Sequence, residues 1–147
     1  MVPYKIFAIN PGSTSTKIAL FEGNQPVFSS NVAHDAEVLK QYREISDQFD
    51  YRKETILEEV EKAGVSLEGV DAFSARGGGL VSVEGGVYVV NDKLLEHARA
   101  GFSVKHPAML GAQLADAFSK TYGGNAYVVN PPDVDEFSDL ARVTGWK

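Results

Sequence analysis

Residues 9–17 read Ile9-Asn10-Pro11-Gly12-Ser13-Thr14-Ser15-Thr16-Lys17, between the apolar segments Ile6-Phe7-Ala8-Ile9 and Ile18-Ala19-Leu20-Phe21. The pattern predicts two β-strands joined by a polar turn, because short apolar runs bounded by Pro, Gly and Ser are typical of hairpins. The turn contains hydroxyl groups, an amide and an ammonium group but no carboxylate. Phosphate oxygens bind to several fixed donors together with positive charge. The turn is therefore either an ordinary polar hairpin tip or a phosphate-binding loop, and its lack of acidic residues favours the second.

Composition indicates one globular domain and excludes several classes of protein. The chain has 147 residues, of which 44% are hydrophobic, which is enough to form a core. Its net charge of -6 argues against a nucleic-acid binder, which usually has a basic face. Cysteine is absent, so disulfides and thiolate metal sites are excluded. Because no apolar run approaches the roughly 20 residues of a membrane helix and no signal peptide is visible, we expect a cytoplasmic protein without membrane contact.

The order of strands and helices predicts an α/β fold with a mixed sheet. Strands are expected at residues 4–10, 17–22 and 26–32, and their short connections predict an antiparallel meander. A helix over about residues 50–63 precedes a strand at residues 70–75, which predicts a parallel pairing. Further strands at residues 87–90 and 126–129 alternate with helices. The charged residues of the helix at 50–63 are interpreted as its solvent-exposed face; they are Arg52, Lys53, Glu58, Glu59, Glu61 and Lys62.

A glycine-rich loop, Arg76-Gly77-Gly78-Gly79, follows the strand at residues 70–75. Open α/β sheets bind ligands at the carboxyl ends of their strands, where this loop is expected. The Arg76 guanidinium has the planar donor geometry that matches phosphate or carboxylate. The glycines would let a ligand approach the backbone closely. The alternative is an exposed arginine before an ordinary glycine-rich turn, because glycine-rich signals alone are weak.

His106 precedes Pro107 at a predicted helix start, where free N–H groups and partial positive charge favour anions. It could donate to a bound phosphoryl group, or it could act only as an N-cap at the surface. His34 and His97 have no comparable setting and are interpreted as surface residues. Three dispersed histidines do not support a zinc site.

Acidic residues cluster after the strand at residues 126–129. Asp133, Asp135 and Glu136 could hold Mg²⁺ through waters, since Mg²⁺ takes few direct carboxylate ligands. The alternative is the acidic first turn of a helix.

Taken together, these segments resemble the acetate and butyrate kinase family. Residues 9–17 look like its N-terminal signature in the form typical of butyrate kinases, and the resemblance extends over the whole chain. Three further segments support it in order: Ser74-Ala75-Arg76-Gly77-Gly78, then His106-Pro107-Ala108-Met109-Leu110-Gly111-Ala112, then Val128-Val129-Asn130-Pro131 with Val134-Asp135-Glu136.

The resemblance implies the fold of the superfamily that contains acetate and sugar kinases, heat-shock ATPases and actin. That fold is a ribonuclease H-like or actin-like ATPase domain, with an antiparallel N-terminal meander and helices on both faces of the sheet. Family members have two such domains, with ATP and Mg²⁺ in the cleft between them. Residues 1–147 would form the N-terminal domain, with the C-terminal nucleotide-binding domain absent from this sequence. The intact protein is expected to be a homo-oligomer.

The resemblance also implies a phosphotransferase that moves a phosphoryl group between ATP and a short-chain, butyrate-like carboxylate, giving an acyl phosphate. Arg76 would orient the carboxylate and offset charge in the transition state, and His106 would hydrogen-bond the phosphoryl oxygens. Asn10 would contact the transferring group. The residues expected at the nucleotide phosphates are Asn10, Gly12, Ser13, Thr14, Ser15, Thr16 and Lys17. Those expected to organise Mg²⁺ are Asn10, Asn130, Asp135 and Glu136.

Two departures from the family pattern keep an alternative open. Asn130 stands where the family commonly has Asp, and an amide supplies no negative charge to a metal ion. The sequence also contains no second glycine-rich nucleotide motif. Both features are compatible with a non-catalytic anion-binding or interaction domain that retains the kinase fold. A sugar kinase of the same superfamily is a third possibility, which residues 9–17 disfavour.

Overall fold

The computed structural model describes residues 1–143, which are organised around one six-stranded sheet. The strands are β1 (Lys5–Pro11), β2 (Ser15–Glu22), β3 (Gln25–Ala33), β4 (Ala72–Ala75), β5 (Val87–Val89) and β6 (Asn125–Val129). Their order across the sheet is β3-β2-β1-β4-β6-β5. The first three strands form the predicted antiparallel meander. β4 pairs in parallel with both β1 and β6, while β5 is antiparallel to β6, so the sheet is mixed as predicted.

In the described part of the chain, four α-helices and two 3-10 turns lie between the strands, and a third 3-10 turn follows β6. The helices are α1 (Ala36–Leu39), α2 (Phe49–Lys62), α3 (Asp92–Ala100) and α4 (Leu110–Tyr122), and the 3-10 turns are Ile45–Gln48, Pro107–Met109 and Asp139–Arg142. Asp35 and Asn91 cap α1 and α3 through their side-chain oxygens. The sequence of residues 138–144 predicts a short helix; the structure has a 3-10 turn at Asp139–Arg142, and Thr144 lies outside the described residues. None of the helices in residues 1–143 has the length and apolar character needed to span a bilayer.

The hydrophobic core lies on one face of the sheet. Phe7 of β1, Phe73 of β4 and Phe118 of α4 pack together, with ring centroids 6.0 to 6.2 Å apart. α2 contacts α4 and shares this core, and α3 packs against α4 on the same side. The expectation of helices on both faces is therefore corrected: α2, α3 and α4 share one face. We call it the helical face.

The opposite face of the sheet carries the alternate side chains of the same strands. It forms a shallow depression of about 640 Å³ whose lining includes Ala8, Lys17, Ser74 and Arg76. Successive residues of a strand point to opposite faces, so these side chains lie opposite the core residues that precede or follow them. We call this the open face. Its polar side chains at the end of β1, near the start of β2 and just after β4 lie beside the candidate site.

Two side chains predicted at the surface are buried instead. Arg52 is 0% exposed and His34 is 7% exposed. Ile56 and Val60 follow Arg52 by four and eight residues, so all three side chains lie on the same, buried side of α2. The prediction that Arg52 belongs to the solvent-exposed face of this helix is wrong.

Candidate active site

Lys17, Asn10 and Arg76 lie side by side on three neighbouring strands. Asn10 is opposite Lys17 in the β1–β2 pair. Arg76 directly follows Ala75, which pairs with Ile9, and the Arg76 N–H donates to the Ile9 carbonyl at 3.3 Å. Because each of the three follows or precedes a core residue, all three belong to the open face, where they are exposed. Two cations with an amide between them make this edge of the sheet suitable for an anionic ligand.

Residues 12–14 form a tight turn between β1 and β2, and together with Ser15 and Thr16 at the start of β2 they make up what we call the phosphate turn. The Gly12 N–H donates to the Ser15 carbonyl at 2.7 Å and closes it. Ser13 and Thr14 are exposed at the tip, and within residues 1–143 no protein group accepts their backbone N–H. Successive unpaired N–H groups in a turn suit an anion. Thr16 differs from the other predicted phosphate contacts, because its side chain is 0% exposed and faces the core.

The Arg52 guanidinium lies beneath the phosphate turn. Its Nη1 donates to Thr16 Oγ1 at 3.1 Å, and its Nη2 donates to the Ser13 carbonyl at 3.3 Å. Thr16 Oγ1 is also 2.8 Å from His34 Nε2. Burial, followed by the nearby Arg52 charge, lowers the pKa of His34 to about 4. Burial lowers the pKa of Arg52 to about 10, so at neutral pH the arginine is charged and the histidine is neutral.

His106 connects the phosphate turn to the start of α4. Its Nδ1 accepts from the Ala108 N–H at 3.1 Å, so the ring caps the 3-10 turn Pro107–Met109. A neutral imidazole that accepts at Nδ1 carries its proton on Nε2. That Nε2 is 3.5 Å from Ser13 Oγ. The same ring can therefore cap the turn and present an N–H donor beside the phosphate turn.

A cleft of about 480 Å³ opens between the phosphate turn and the loop after β4. Asn10, Arg76 and His106 supply polar groups to its lining, while Pro11, Val104, Ala108 and Pro132 are among its apolar residues. The cleft thus combines cationic and N–H groups with an apolar wall, and it also contains the Asp133 carboxylate, which accepts a hydrogen bond from Ser103 Oγ. Such a combination suits a small acid with an alkyl chain.

The glycines after Arg76 are required by the backbone conformation and close packing of the loop. Gly77 has φ of 72°, and a Cβ built there would lie 2.6 Å from Val128 Cγ1. Gly78 has φ of 155°, and a Cβ built there would lie 3.0 Å from the Cβ of Ala108. These residues let the loop turn back against β6 and α4, which fixes the place of Arg76 at the mouth of the cleft.

Comparison with known proteins identifies relatives of the chain. No family model matches the sequence. Over 142 residues, or 97% of the chain, the sequence is 40% identical to Butyrate kinase 2 of Clostridium acetobutylicum. The predicted resemblance to the acetate and butyrate kinase family is confirmed. The chain spans 40% of the length of that relative.

Solved structures support the fold of the chain. Acetate kinase from Entamoeba histolytica superposes with a TM-score of 0.52 at 14% identity, covering 98% of this chain and 40% of that one. The PPX-GPPA enzyme of Aquifex aeolicus superposes with a TM-score of 0.50 at 9% identity, covering 86% of this chain and 53% of that one. The actin-like ATPase fold predicted from the sequence is thereby confirmed.

Of the four residues that the family resemblance assigns to Mg²⁺, Asn10 is exposed on the open face and the other three have protein partners. Asn130 Oδ1 accepts from the Gly86 N–H at 2.8 Å. Both Asp135 carboxylate oxygens pair with Arg142, at 2.9 and 3.1 Å. Glu136 accepts from the Gly85 N–H. Residues 1–143 contain no group of three or more His, Asp or Glu side chains that could hold a metal ion, so these residues do not fit a shared Mg²⁺ site.

Sequence reasoning missed Arg52 and His34 as parts of this site. The spacing of Arg52 with Ile56 and Val60 was an available signal, because the three share one helical face. His34 had a weaker signal: it directly follows β3, whose partner strand β2 begins at the phosphate turn. His97, by contrast, is partly exposed and packs against Phe102, with ring centroids 4.9 Å apart.

Proposed function

We propose that this chain is the carboxylate- and phosphoryl-binding N-terminal domain of a short-chain carboxylate kinase. The whole protein would transfer a phosphoryl group between ATP and a butyrate-like acid, giving an acyl phosphate and ADP. The observation that carries the proposal is the row of Lys17, Asn10 and Arg76 across three strands, of which Asn10 and Arg76 line a cleft with an apolar wall. The 40% identity to Butyrate kinase 2 supports it independently.

The acid would bind with its alkyl chain in the cleft and its carboxylate at Arg76. Val104, Ala108 and Pro132 offer the alkyl chain an apolar surface. Arg76 offers a planar pair of N–H donors to the carboxylate. One methylene in such a pocket is worth only about 1–3 kcal/mol, so the length of the acid is selected less sharply than its charge.

The phosphoryl group would bind between the phosphate turn and His106. The N–H groups of Ser13 and Thr14, the Lys17 ammonium and the His106 Nε2–H are the available donors. In the reaction, a carboxylate oxygen attacks the γ-phosphorus of ATP and forms the new O–P bond. The bond from that phosphorus to the β,γ-bridging oxygen breaks, and its electron pair leaves with ADP. Since a carboxylate is ionised at neutral pH, no general base is needed, and catalysis rests on positioning and charge stabilisation.

The adenosine would bind outside this chain, in the nucleotide domain of a longer protein. The chain's span of 40% of Butyrate kinase 2 is compatible with this division. Because Asn130, Asp135 and Glu136 do not fit a shared Mg²⁺ site, none of the steps above is assigned to a metal ion held by these residues.

Butyrate-dependent ADP formation tests the proposal, using protein expressed from the complete reading frame. Arg76→Ala should lower kcat/KM by about 10²- to 10³-fold, as removal of a transition-state donor typically does. Arg99→Ala is the matched control, because Arg99 is an exposed arginine on α3 that does not line the cleft. Normal turnover by Arg76→Ala would contradict the role given to Arg76. Phosphate binding without any turnover by the complete protein would favour the non-catalytic anion-binding domain.

A further inference from the structure

Arg52 is a buried cation without an acidic partner. Its side chain is 0% exposed, and within residues 1–143 no carboxylate lies within ion-pair distance of it. Burial of a charge is costly unless hydrogen bonds and an opposite charge compensate for it. The hydrogen bonds are present, whereas no carboxylate of the described residues is close enough to form an ion pair with Arg52.

All five N–H groups of Arg52 are used. Nε and one N–H of Nη2 donate to Gln48 Oε1, at 3.1 and 3.0 Å. The other three donate to the phosphate turn: to Thr16 Oγ1, to the Ser13 carbonyl and, at 3.5 Å, to the Ser15 carbonyl. Gln48 therefore holds one edge of the guanidinium, and the other edge is hydrogen-bonded to the phosphate turn.

These contacts determine which backbone groups of the turn remain available. The Ser13 and Ser15 carbonyls are held inward by Arg52, and the Ser15 carbonyl also accepts from the Gly12 N–H. The Ser13 and Thr14 N–H groups have no protein acceptor in the described part of the chain and lie at the exposed tip. The guanidinium thus occupies the inner side of a turn whose outer side presents donors.

We infer that Arg52 is a positioning residue of the phosphate turn and the built-in countercharge of the anion that binds there. It holds the turn carbonyls inward, so that N–H groups face the ligand, and its charge acts through the turn on the bound phosphoryl group. The inference deepens the proposed function, on which it rests for the identity of the anion. Arg52 touches no ligand itself, because it is fully buried beneath the turn.

The neutral state of His34 is consistent with this arrangement. Thr16 Oγ1 accepts from Arg52 and lies at hydrogen-bond distance from His34 Nε2, so the histidine extends the network without adding charge. His34 Nδ1 is buried and has no hydrogen-bond partner among the described residues. Arg52 is therefore the charged member of the group beneath the turn.

Titration of the wild-type chain with inorganic phosphate, followed by NMR, gives the first test. Phosphate should shift the backbone amide signals of Ser13 and Thr14 and, in the same concentration range, the Arg52 Nε–H signal. A structural role alone would leave the Arg52 signal unchanged, because no atom of Arg52 is exposed to phosphate. If the turn amides shift while Arg52 Nε–H stays constant at saturation, the countercharge role is overturned.

Variants of Arg52 give the second test. Arg52→Met fills the same space without charge and should weaken phosphate binding at least about tenfold, equivalent to one step of 1.4 kcal/mol. Arg52→Lys keeps the charge but not the planar geometry, so part of the affinity should return. Arg43→Met is the matched control, because it removes an exposed arginine that makes no described contact with the turn. Phosphate binding by folded Arg52→Met equal to that of wild type would overturn the inference.

The outcomes separate this inference from the proposed kinase activity. A complete protein without butyrate-dependent turnover, whose phosphate binding still depends on Arg52, would refute the kinase and keep the inference. A complete protein with butyrate-dependent turnover whose phosphate binding does not depend on Arg52 would support the kinase and overturn the inference. If Arg52→Met does not fold, Arg52→Lys and the wild-type Nε–H titration decide the matter.

Discussion

His106 and Ser13 are 93 residues apart in the sequence, and their Nε2 and Oγ atoms lie 3.5 Å apart. The contact joins the phosphate turn to the beginning of α4 across the cleft mouth. The other ring nitrogen of His106 accepts from the Ala108 N–H, which fixes the proton on Nε2 in the neutral ring. One side chain thus caps the 3-10 turn through Nδ1 and places its Nε2 donor beside Ser13 Oγ, at the mouth of the cleft.

These two tasks of His106 can be separated by substitution. His106→Asn should keep the cap, because Asn is among the best N-cap residues, and should lose the donor at Nε2. His106→Ala should lose both and cost about 1 kcal/mol of stability in addition. Thermal unfolding and phosphate titration of both variants measure the two effects. Wild-type phosphate affinity in His106→Asn would show that Nε2–H makes no contribution to anion binding.

The loop after β4 should tolerate no side chain at Gly77. An Ala there would combine a φ of 72° with a Cβ 2.6 Å from Val128 Cγ1, so Gly77→Ala should cost about 2–4 kcal/mol of stability. Gly64→Ala is the matched control, because Gly64 has a φ of 67° and nothing within 4 Å of a built Cβ. Urea unfolding of the two variants isolates the clash with Val128. Equal losses in both would mean that backbone conformation alone explains the glycine.

Asn130 has a structural task that an Asp could also perform. It is the one non-glycine residue with positive φ among residues 1–143, at 41°, and its Oδ1 accepts from the Gly86 N–H. Asn130→Asp keeps the acceptor and tolerates the backbone, so its stability should stay within about 0.5 kcal/mol of wild type. Asn130→Leu loses both advantages and should cost about 1–3 kcal/mol. Chemical unfolding distinguishes the two, and an equally large loss in Asn130→Asp would contradict this account.

Local sequence patterns predicted the hairpin and the antiparallel meander, because both join strands that are neighbours along the chain. Arg76 and His106 were also predictable as candidates, since each directly follows or starts a regular element. The partners of Asn130 and Glu136 were not, because Gly86 and Gly85 lie 44 and 51 residues away along the chain. Only the folded structure brings those loops together, which is why the acidic cluster suggested a metal site. The burial of Arg52 was partly predictable from its spacing with Ile56, but its contact with Thr16 was not.

His34 should make the stability of the chain depend on pH. Its pKa is about 4 in the folded state and 6.5 without the effects of burial and Arg52. As pH falls below 6.5, the unfolded state binds a proton at His34 that the folded state does not, so the free energy of unfolding decreases until about pH 4. His34→Gln, which does not titrate, should reduce the pH slope of stability in that window by up to one proton. His97→Gln is the control, because His97 is partly exposed on α3. Urea unfolding between pH 4 and 7 measures the slopes, and identical slopes in wild type and His34→Gln would mean that His34 accepts a proton equally well in both states.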